Sequence, residues 1–354
     1  MAPYQPAADP PERIREAARF SVGILPEVSR TFAISIRFLP GTLGAAVNVA
    51  YLLCRIADTI EDDNTTPPAR RAELLERFLR TLDDRDAAEA FPTEAAALQG
   101  DPAHLALVRH TDLVLVRFRT LPPRTRERVA HWVREMGVGM AKFVRTYPHG
   151  IRIQTLAEYR EYCYYVAGTV GFMLTELWHE HAPAIGRAEY DRLLVKCQAF
   201  GEALQTVNIL KDIAWDAQHE NSIYIPAQDL ARHGSGHETL LSPDHVEHNH
   251  KAVAHFIDLA RQDLDDALEY TLMIPRRAFR IRAFCVLPLL FAYATLRDLS
   301  GSRAMLQVGG QVKISRREVK ALMIAGVAAL GSNTALRWLV HRVQARPFTL
   351  ATVG

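Results

Sequence analysis

The sequence predicts an all-α protein, a bundle of helices around a central cavity. Apolar residues recur at helical spacing through most of the 354-residue chain. No Gly/Ser-rich linker or shift in composition divides it, so one large helical domain over residues 14–354 is the simpler reading. Two largely apolar stretches also carry polar stripes at about 100° per residue, the pattern of buried helices whose polar edges open into a hollow.

Residues 1–13 hold four prolines and no apolar period, and read as a flexible tail without the basic start and apolar core of a secretory signal. The helical pattern begins at Ile14. Ser29, Arg30, Thr31 and Phe32 then precede a mixed apolar stretch. Arg30 has a planar fork suited to phosphate, with the hydroxyls of Ser29 and Thr31 beside it; an ordinary Arg at a helix start is the plainer reading. The first striped helix is Tyr51–Asp63, YLLCRIADTIEDD. Tyr51, Arg55, Asp58 and Asp62 fall on one stripe with Glu61 beside it, while Leu52, Leu53, Ile56, Ala57 and Ile60 cover the other faces. Crowded carboxylates repel one another unless a cation sits between them, and hard oxygen ligands favour Mg²⁺. An acidic helix cap would give the same composition.

Pro67 and Pro68 end this helix. Helical periods resume from Ala72 to Leu82, and DDRDAAEAFP after them reads as an acidic loop. Residues 103–121 and 124–143, separated by Pro122 and Pro123, read as a helical hairpin with solvated arginines. In the helix 159–178, Tyr162, Val166, Thr169 and Met173 share a face, with Tyr165 alongside, so polar groups give way to an apolar wall. Gly168 and Gly171 each cost about 1 kcal/mol in a helix relative to Ala, which suggests close approach of a neighbour.

The second striped helix is 205–216, QTVNILKDIAWD. Gln205, Asn208, Asp212 and Asp216 share its stripe; Val207, Ile209, Leu210 and Ile213 cover other faces. Mg²⁺ takes one or two carboxylates plus waters and phosphate oxygens, so paired acidic helices suggest ions bridging a bound diphosphate. Two histidine groups, His179 with His181 and His245 with His248 and His250, lack zinc spacing and read as surface residues. Residues 276–299 form an apolar helix kinked at Pro288. A glycine-containing flexible loop follows, then the bases Lys313, Arg316 and Arg317. The apolar run 321–331 is too short for a bilayer of roughly 30 Å. Arg337, His341 and Arg346 could line a basic face of the last helix that meets anionic lipid.

With 42 basic and 40 acidic residues and a net charge of +2, no long-range field argues for nucleic acid. Cys54, Cys163, Cys197 and Cys285 are scattered in apolar contexts, as reduced core residues of a cytoplasmic protein are.

The two acidic stretches, DTIEDD at Asp58–Asp63 and NILKDIAWD at Asn208–Asp216, resemble the aspartate-rich motifs of the squalene and phytoene synthase family. Further matches follow in order: SRTF at Ser29–Phe32, YCYYVAG at Tyr162–Gly168 and FCVLPLLFAYATL at Phe284–Leu296. QVKISRREVKALM at Gln311–Met323 is similar to the squalene rather than the phytoene branch.

The resemblance implies a single-domain isoprenoid synthase (type I terpenoid synthase) fold and head-to-head condensation of two farnesyl diphosphates. Presqualene diphosphate would form first, followed by NADPH-dependent reduction to squalene. It implies Mg²⁺ on Asp58, Glu61, Asp62, Asp212 and Asp216. Substrate would contact Ser29, Arg30, Phe32, Arg55, Gln205, Asn208 and Lys211; Tyr162, Tyr51 and Phe284 would act in catalysis; Lys313, Arg316 and Arg317 would meet the NADPH phosphates. Two departures bear on the diphosphate: Lys211 stands where relatives often have Arg, and Glu220-Asn221-Ser222 stands where an Arg commonly binds it.

A monomer in the cytoplasm, with peripheral membrane contact for product release, is the accompanying expectation. A relative stopping at presqualene diphosphate, dehydrosqualene or phytoene would dispense with NADPH. A terpene cyclase would leave Gln311–Met323 unexplained, and a catalytically silent assembly factor would not need both acidic motifs.

Overall fold

The computed structural model describes residues 9–349 apart from the side chain of Arg30. Among them it is helical, with one isolated parallel bridge, Arg152 to Ile223, in place of strands. Helix α1 (Pro11–Val28) starts with proline in its first turn, three residues before the expected Ile14. Ser29 caps α2 (Arg30–Ile36) by accepting from the Phe32 amide, 3.1 Å away. Helix α3 (Gly41–Asp62) carries the first acidic stripe. Its end is set by Asp63, whose carboxylate accepts from the Thr65, Thr66 and Gln99 amides.

Pro67 and Pro68 then open a helix rather than merely closing one: α4 (Pro68–Arg80) starts there, four residues before the apolar period becomes visible. The acidic loop expected at DDRDAAEAFP is corrected to α5 (Arg85–Glu94). Asp84 caps it by accepting from the Asp86 and Ala87 amides, and Ala88 and Phe91 are buried, so a short amphipathic helix forms despite its charge. The expected hairpin is α6 (Pro102–Arg109), α7 (Thr111–Arg119) and α8 (Pro123–Thr146), its first arm broken at His110.

Helices α9 (Leu156–Cys163) and α10 (Thr169–His181) are joined by a π-helical turn, Tyr164–Gly168. Then come α11 (Arg187–Leu194) and α12 (Cys197–Trp215), the latter running into a second π turn, Asp216–Glu220. Helices α13 (Ala227–Arg232), α14 (Val246–Met273), α15 (Phe279–Ser300), α16 (Arg316–Ala329) and α17 (Asn333–Ala345) complete the chain. Helix α15 continues through Pro288, and the loop after it contains a short 3₁₀ turn, Ala304–Leu306.

One large apolar core extends from α1 to α17, with Ala17, Leu113 and Val116 as a satellite between α1 and α7. All four cysteines are buried and free. Helices α3 and α15 are long and apolar enough to cross a membrane, yet most of each is buried against other helices, as in a soluble core. Helices α10 and α12 approach backbone to backbone: a Cβ on Gly171 would lie 1.9 Å from the Cys197 carbonyl oxygen, and one on Gly201 2.0 Å from that of Ala167. Gly171 thus makes the room expected of it.

Candidate active site

A cavity of about 310 Å³ lies between α2, α3, α10, α12 and α15. Its apolar wall includes Phe32, Val166, Val170, Met173, Phe284, Pro288 and Phe291. Its polar rim includes Tyr51, Arg55 and Asp58 from α3 with Gln205, Asn208 and Lys211 from α12. Tyr51, Arg55 and Asp58 of the first stripe and Gln205 and Asn208 of the second therefore face one hollow, whereas Asp62, Asp212 and Asp216 do not line it. Phe284 is buried with its ring 5.3 Å from Trp178 and 6.5 Å from Phe32, so aromatic faces line the depth of the cavity.

The acidic ends of α3 and α12 also meet directly. Asn64, just past α3, donates to the His219 carbonyl in the π turn after α12. Tyr162 links the acidic end of α3 to the segment after that turn, its hydroxyl 3.5 Å from Glu61 Oε2 and 3.3 Å from the Tyr224 hydroxyl. Arg55 pairs with Asp58 at 3.4 Å and donates to the Tyr51 hydroxyl at 3.3 Å. Lys211 pairs with Asp212 at 2.9 Å and donates to Asn208 Oδ1 at 3.1 Å.

The electrostatics are those of an anionic pit. Burial, then Asp62 and Asp58, hold the Glu61 carboxyl well above its ordinary range, and burial, then Glu220 and Asp58, do the same to Asp62. Burial also raises Asp58 against the opposing pull of Arg55. Burial, then Asp212 and Asp62, push Asp216 up to about 9, and burial, then Asp216, push Glu220 up to about 8. Glu61 Oε1 is buried with no hydrogen-bond partner. These oxygens have the chemistry of hard-cation ligands. Among the described residues no three metal-ligating side chains converge on one point.

A raised folded-state carboxyl binds protons that the unfolded chain releases, so stability present near pH 4 is lost as pH rises toward about 9. In EDTA the thermal midpoint is expected to fall across that window. Asp216→Asn removes one repelled charge and is expected to flatten the decline, stabilising the cation-free protein at about pH 9 by about 1–3 kcal/mol. A wild-type midpoint that climbs with pH in EDTA would contradict this.

Other predicted residues fall less simply. Tyr162 does not line the apolar cavity with Val166 and Met173 but sits beside the carboxylates. The π turn at Tyr164–Gly168 adds a residue to one turn and rotates α10 by about 100° relative to α9, which a constant helical period does not anticipate. Thr169 is buried and donates to the Tyr165 carbonyl instead of facing the cavity. Ser29 is engaged as the α2 cap; Thr31 and Phe32 reach the cavity, and the Arg30 side chain lies outside the described residues. Lys313, Arg316 and Arg317 are exposed at the start of α16. The loop before them reaches the second π turn, where the Gly309 amide donates to Gln218 Oε1 at 3.3 Å. Of the residues expected at the surface, Arg337 pairs with Glu269 at 2.6 Å rather than standing free, and His179 donates from Nδ1 to the Ile185 carbonyl at 2.9 Å.

The sequence reading missed three groups. Glu220 extends the stripe of Asp212 and Asp216 by another four residues, a signal that was legible. Arg71 is buried beside the pit, donates to the Glu61 carbonyl and leaves its Nε unpartnered; it lies outside both motifs, so spacing gave no hint. Tyr224 stacks on Tyr162 at 4.8 Å. At the missing Arg, Asn221 adopts φ 49° and Arg152 donates to its backbone and side-chain oxygens. Arg152 thereby fixes the turn.

Residues 25–318 match the profile of the squalene/phytoene synthase family. Squalene synthase 1 of Arabidopsis thaliana is 28% identical over 299 residues, covering 84% of this chain and 68% of that protein. Squalene synthase of Schizosaccharomyces pombe is 26% identical over 320 residues, covering 89% and 66%. The chain thus spans about two thirds of the length of these relatives. Among solved structures, a TcSQS complex with the ligand BPH1237 superposes with a TM-score of 0.80 over 96% of this chain and 94% of that one, at 23% identity. At that identity the likeness speaks for the fold: the all-α terpenoid synthase bundle.

Proposed function

The chain belongs to the squalene/phytoene synthase family of prenyltransferase-type enzymes, and on that premise we propose that it is a Mg²⁺-dependent farnesyl-diphosphate farnesyltransferase that carries the reaction through to squalene. One observation carries the reading: a single apolar cavity has Asp58 on one side of its rim and Asn208 and Lys211 on the other. Residues 14–354 act in this reading as one catalytic domain.

Arg55, with its planar fork of donors, and Lys211, as a point charge, orient the diphosphate, with Gln205 and Asn208 beside them. When bound, Mg²⁺ supplies positive charge against the diphosphate leaving group, and Asp58, Glu61, Asp62, Asp212 and Asp216 would hold it. The farnesyl tails lie against Phe32, Val166, Met173 and Phe284. Burying fifteen carbons contributes up to about 12 kcal/mol at ~0.8 per carbon, so the tail supplies affinity and the head group fixes register. The same wall keeps water from the allylic cation, and the ring faces of Phe284 and Tyr51 stabilise it.

Closing the cyclopropane of presqualene diphosphate releases a proton. The Tyr162 hydroxyl is kept neutral by burial, then by Glu61, and its contact with Glu61 Oε2 offers that proton a path out of the cavity. When bound, NADPH supplies the hydride for the reductive rearrangement, with Lys313, Arg316 and Arg317 holding its phosphates.

Incubating the purified protein with farnesyl diphosphate and Mg²⁺, with and without NADPH, tests the reading. Squalene is expected with the reductant, and presqualene diphosphate accumulates without it. A hydrocarbon formed equally without NADPH would identify a dehydrosqualene-type reaction instead. Lys313→Glu with Arg316→Glu and Arg317→Glu is expected to raise KM for NADPH by about 10-fold or more while leaving the first half-reaction intact, measured as presqualene diphosphate formed without reductant.

A further inference from the structure

Trp215 ends α12 with 49% of its surface exposed, on a helix whose other large apolar side chains are buried or line the cavity. Exposure there is not looseness. The His219 imidazole stacks on the indole, with ring centroids 3.7 Å apart and planes 15° from parallel. His219 Nδ1 donates to the Trp215 carbonyl at 3.1 Å, and Asn64 donates to the His219 carbonyl. One face of the indole is thereby covered and held, and what stays exposed is a rigid aromatic surface.

A second segment reaches the same end of α12. The 3₁₀ turn Ala304–Leu306 packs on α12, with Met305 and Leu306 buried. Three residues on, the Gly309 amide donates to Gln218 Oε1 in the π turn that begins beside Trp215. Gly309 holds φ 71°, and a Cβ on Gly310 would lie 1.9 Å from the Ala304 carbonyl oxygen, so only glycines close this turn. Between the two anchors Val308 is 68% exposed. Lys313 is exposed four residues beyond Gly309, and the exposed Arg316 and Arg317 open α16. The loop thus ties an open aromatic face to three bases.

An open indole beside a run of bases suits a flat heteroaromatic ring carried on phosphates, which is the chemistry of a nucleotide. Neither the nicotinamide nor a farnesyl tail fits this face, because hydride transfer and tail burial belong to the apolar cavity and Trp215 does not line it. A protein partner calls for a contiguous apolar patch, whereas the exposed neighbours of Trp215 in the π turn are Gln218 and His219. Lys211, on the cavity rim, is four residues before Trp215, about 6 Å of helix rise, so rim and indole lie along one helix. We infer that the open face of Trp215 stacks the adenine ring of NADPH, with the phosphates on Lys313, Arg316 and Arg317. This rests on the NADPH-dependent second half-reaction proposed above.

Equilibrium titration of the full chain with NADPH, in Mg²⁺ and inorganic pyrophosphate, tests the assignment without turnover. Trp215→Ala is expected to raise Kd for NADPH and for adenosine 2′,5′-bisphosphate about 10-fold or more, and Trp215→Phe to raise both by no more than about 3-fold. Reduced nicotinamide mononucleotide, which lacks adenine, should bind the wild type and Trp215→Ala alike. Adenosine 2′,5′-bisphosphate should quench indole emission in the wild type and not in Trp215→Phe. Should Trp215→Ala lose its helical circular dichroism, the quenching readout in Trp215→Phe decides alone. Unchanged NADPH affinity in a folded Trp215→Ala, or quenching that survives in Trp215→Phe, overturns the inference while the use of NADPH stands. A parallel loss for the reduced mononucleotide overturns it as well, by giving the face to nicotinamide. A wild type that forms presqualene diphosphate yet has no affinity for NADPH removes the reductant and the inference together.

Discussion

Asp58→Ala and Asp212→Ala are each expected to cut the consumption of farnesyl diphosphate by about 10²–10³-fold or more, with the helical circular dichroism spectrum intact. Asp58 is only half-buried and Asp212 sits near the surface of α12, so neither carries the packing of its helix. What each loss removes is charge on one side of the pit. Asp58→Ala also frees Arg55 from its 3.4 Å partner, and Asp212→Ala frees Lys211 from its 2.9 Å partner. If carboxylates from both helices act through shared ions, the double variant loses little beyond either single one, because the group works as a unit. Fully multiplicative losses would show that the two acidic ends act separately. Isothermal titration with Mg²⁺ and inorganic pyrophosphate adds a readout that needs no turnover: heat present in the wild type should vanish in each variant.

Gly171→Ala is expected to be among the most damaging single methyl additions in the molecule. Its Cβ would stand 1.9 Å from a backbone oxygen of α12, and backbone cannot turn aside as a side chain does. Helices α10 and α12 must separate, opening the wall that carries Val170 and Met173. A loss of about 3 kcal/mol or more follows, seen as a lower urea midpoint or as failure to accumulate soluble protein. Gly23→Ala is the control: it lies inside α1 with nothing within 4 Å of the added carbon, so helix propensity alone acts and stability should rise by up to about 1 kcal/mol. Equal midpoints for the two variants would show that the α10–α12 approach is not rigid.

These expectations differ in what made them readable. The stripe Tyr51, Arg55, Asp58 and the stripe Gln205, Asn208, Asp212 were visible in the sequence because each lies on an uninterrupted α-helix, where a period of about 3.6 residues maps linear order onto a face. The all-α fold was readable for the same reason, since helical hydrogen bonds are local. Helix α5 was not: its signal is an Asp cap and two buried residues within an acidic run, and charge density outweighed them.

Where the local period breaks, the sequence misleads. Helical spacing groups Tyr162 with Val166 and Met173, but the π turn that follows it sends it to Glu61 and Tyr224. Arg71 and Arg152 enter the site's surroundings through contacts with residues ten and 69 positions away. No periodicity encodes such contacts. The residue types and their helical faces thus belong to the linear chain, because main-chain geometry repeats from one residue to the next. Which faces meet, how many carboxylates share one pit and which loop adjoins the end of α12 were settled by packing, because contacts such as the backbone approach at Gly171 and the Gly309 hydrogen bond to Gln218 join segments distant in the chain.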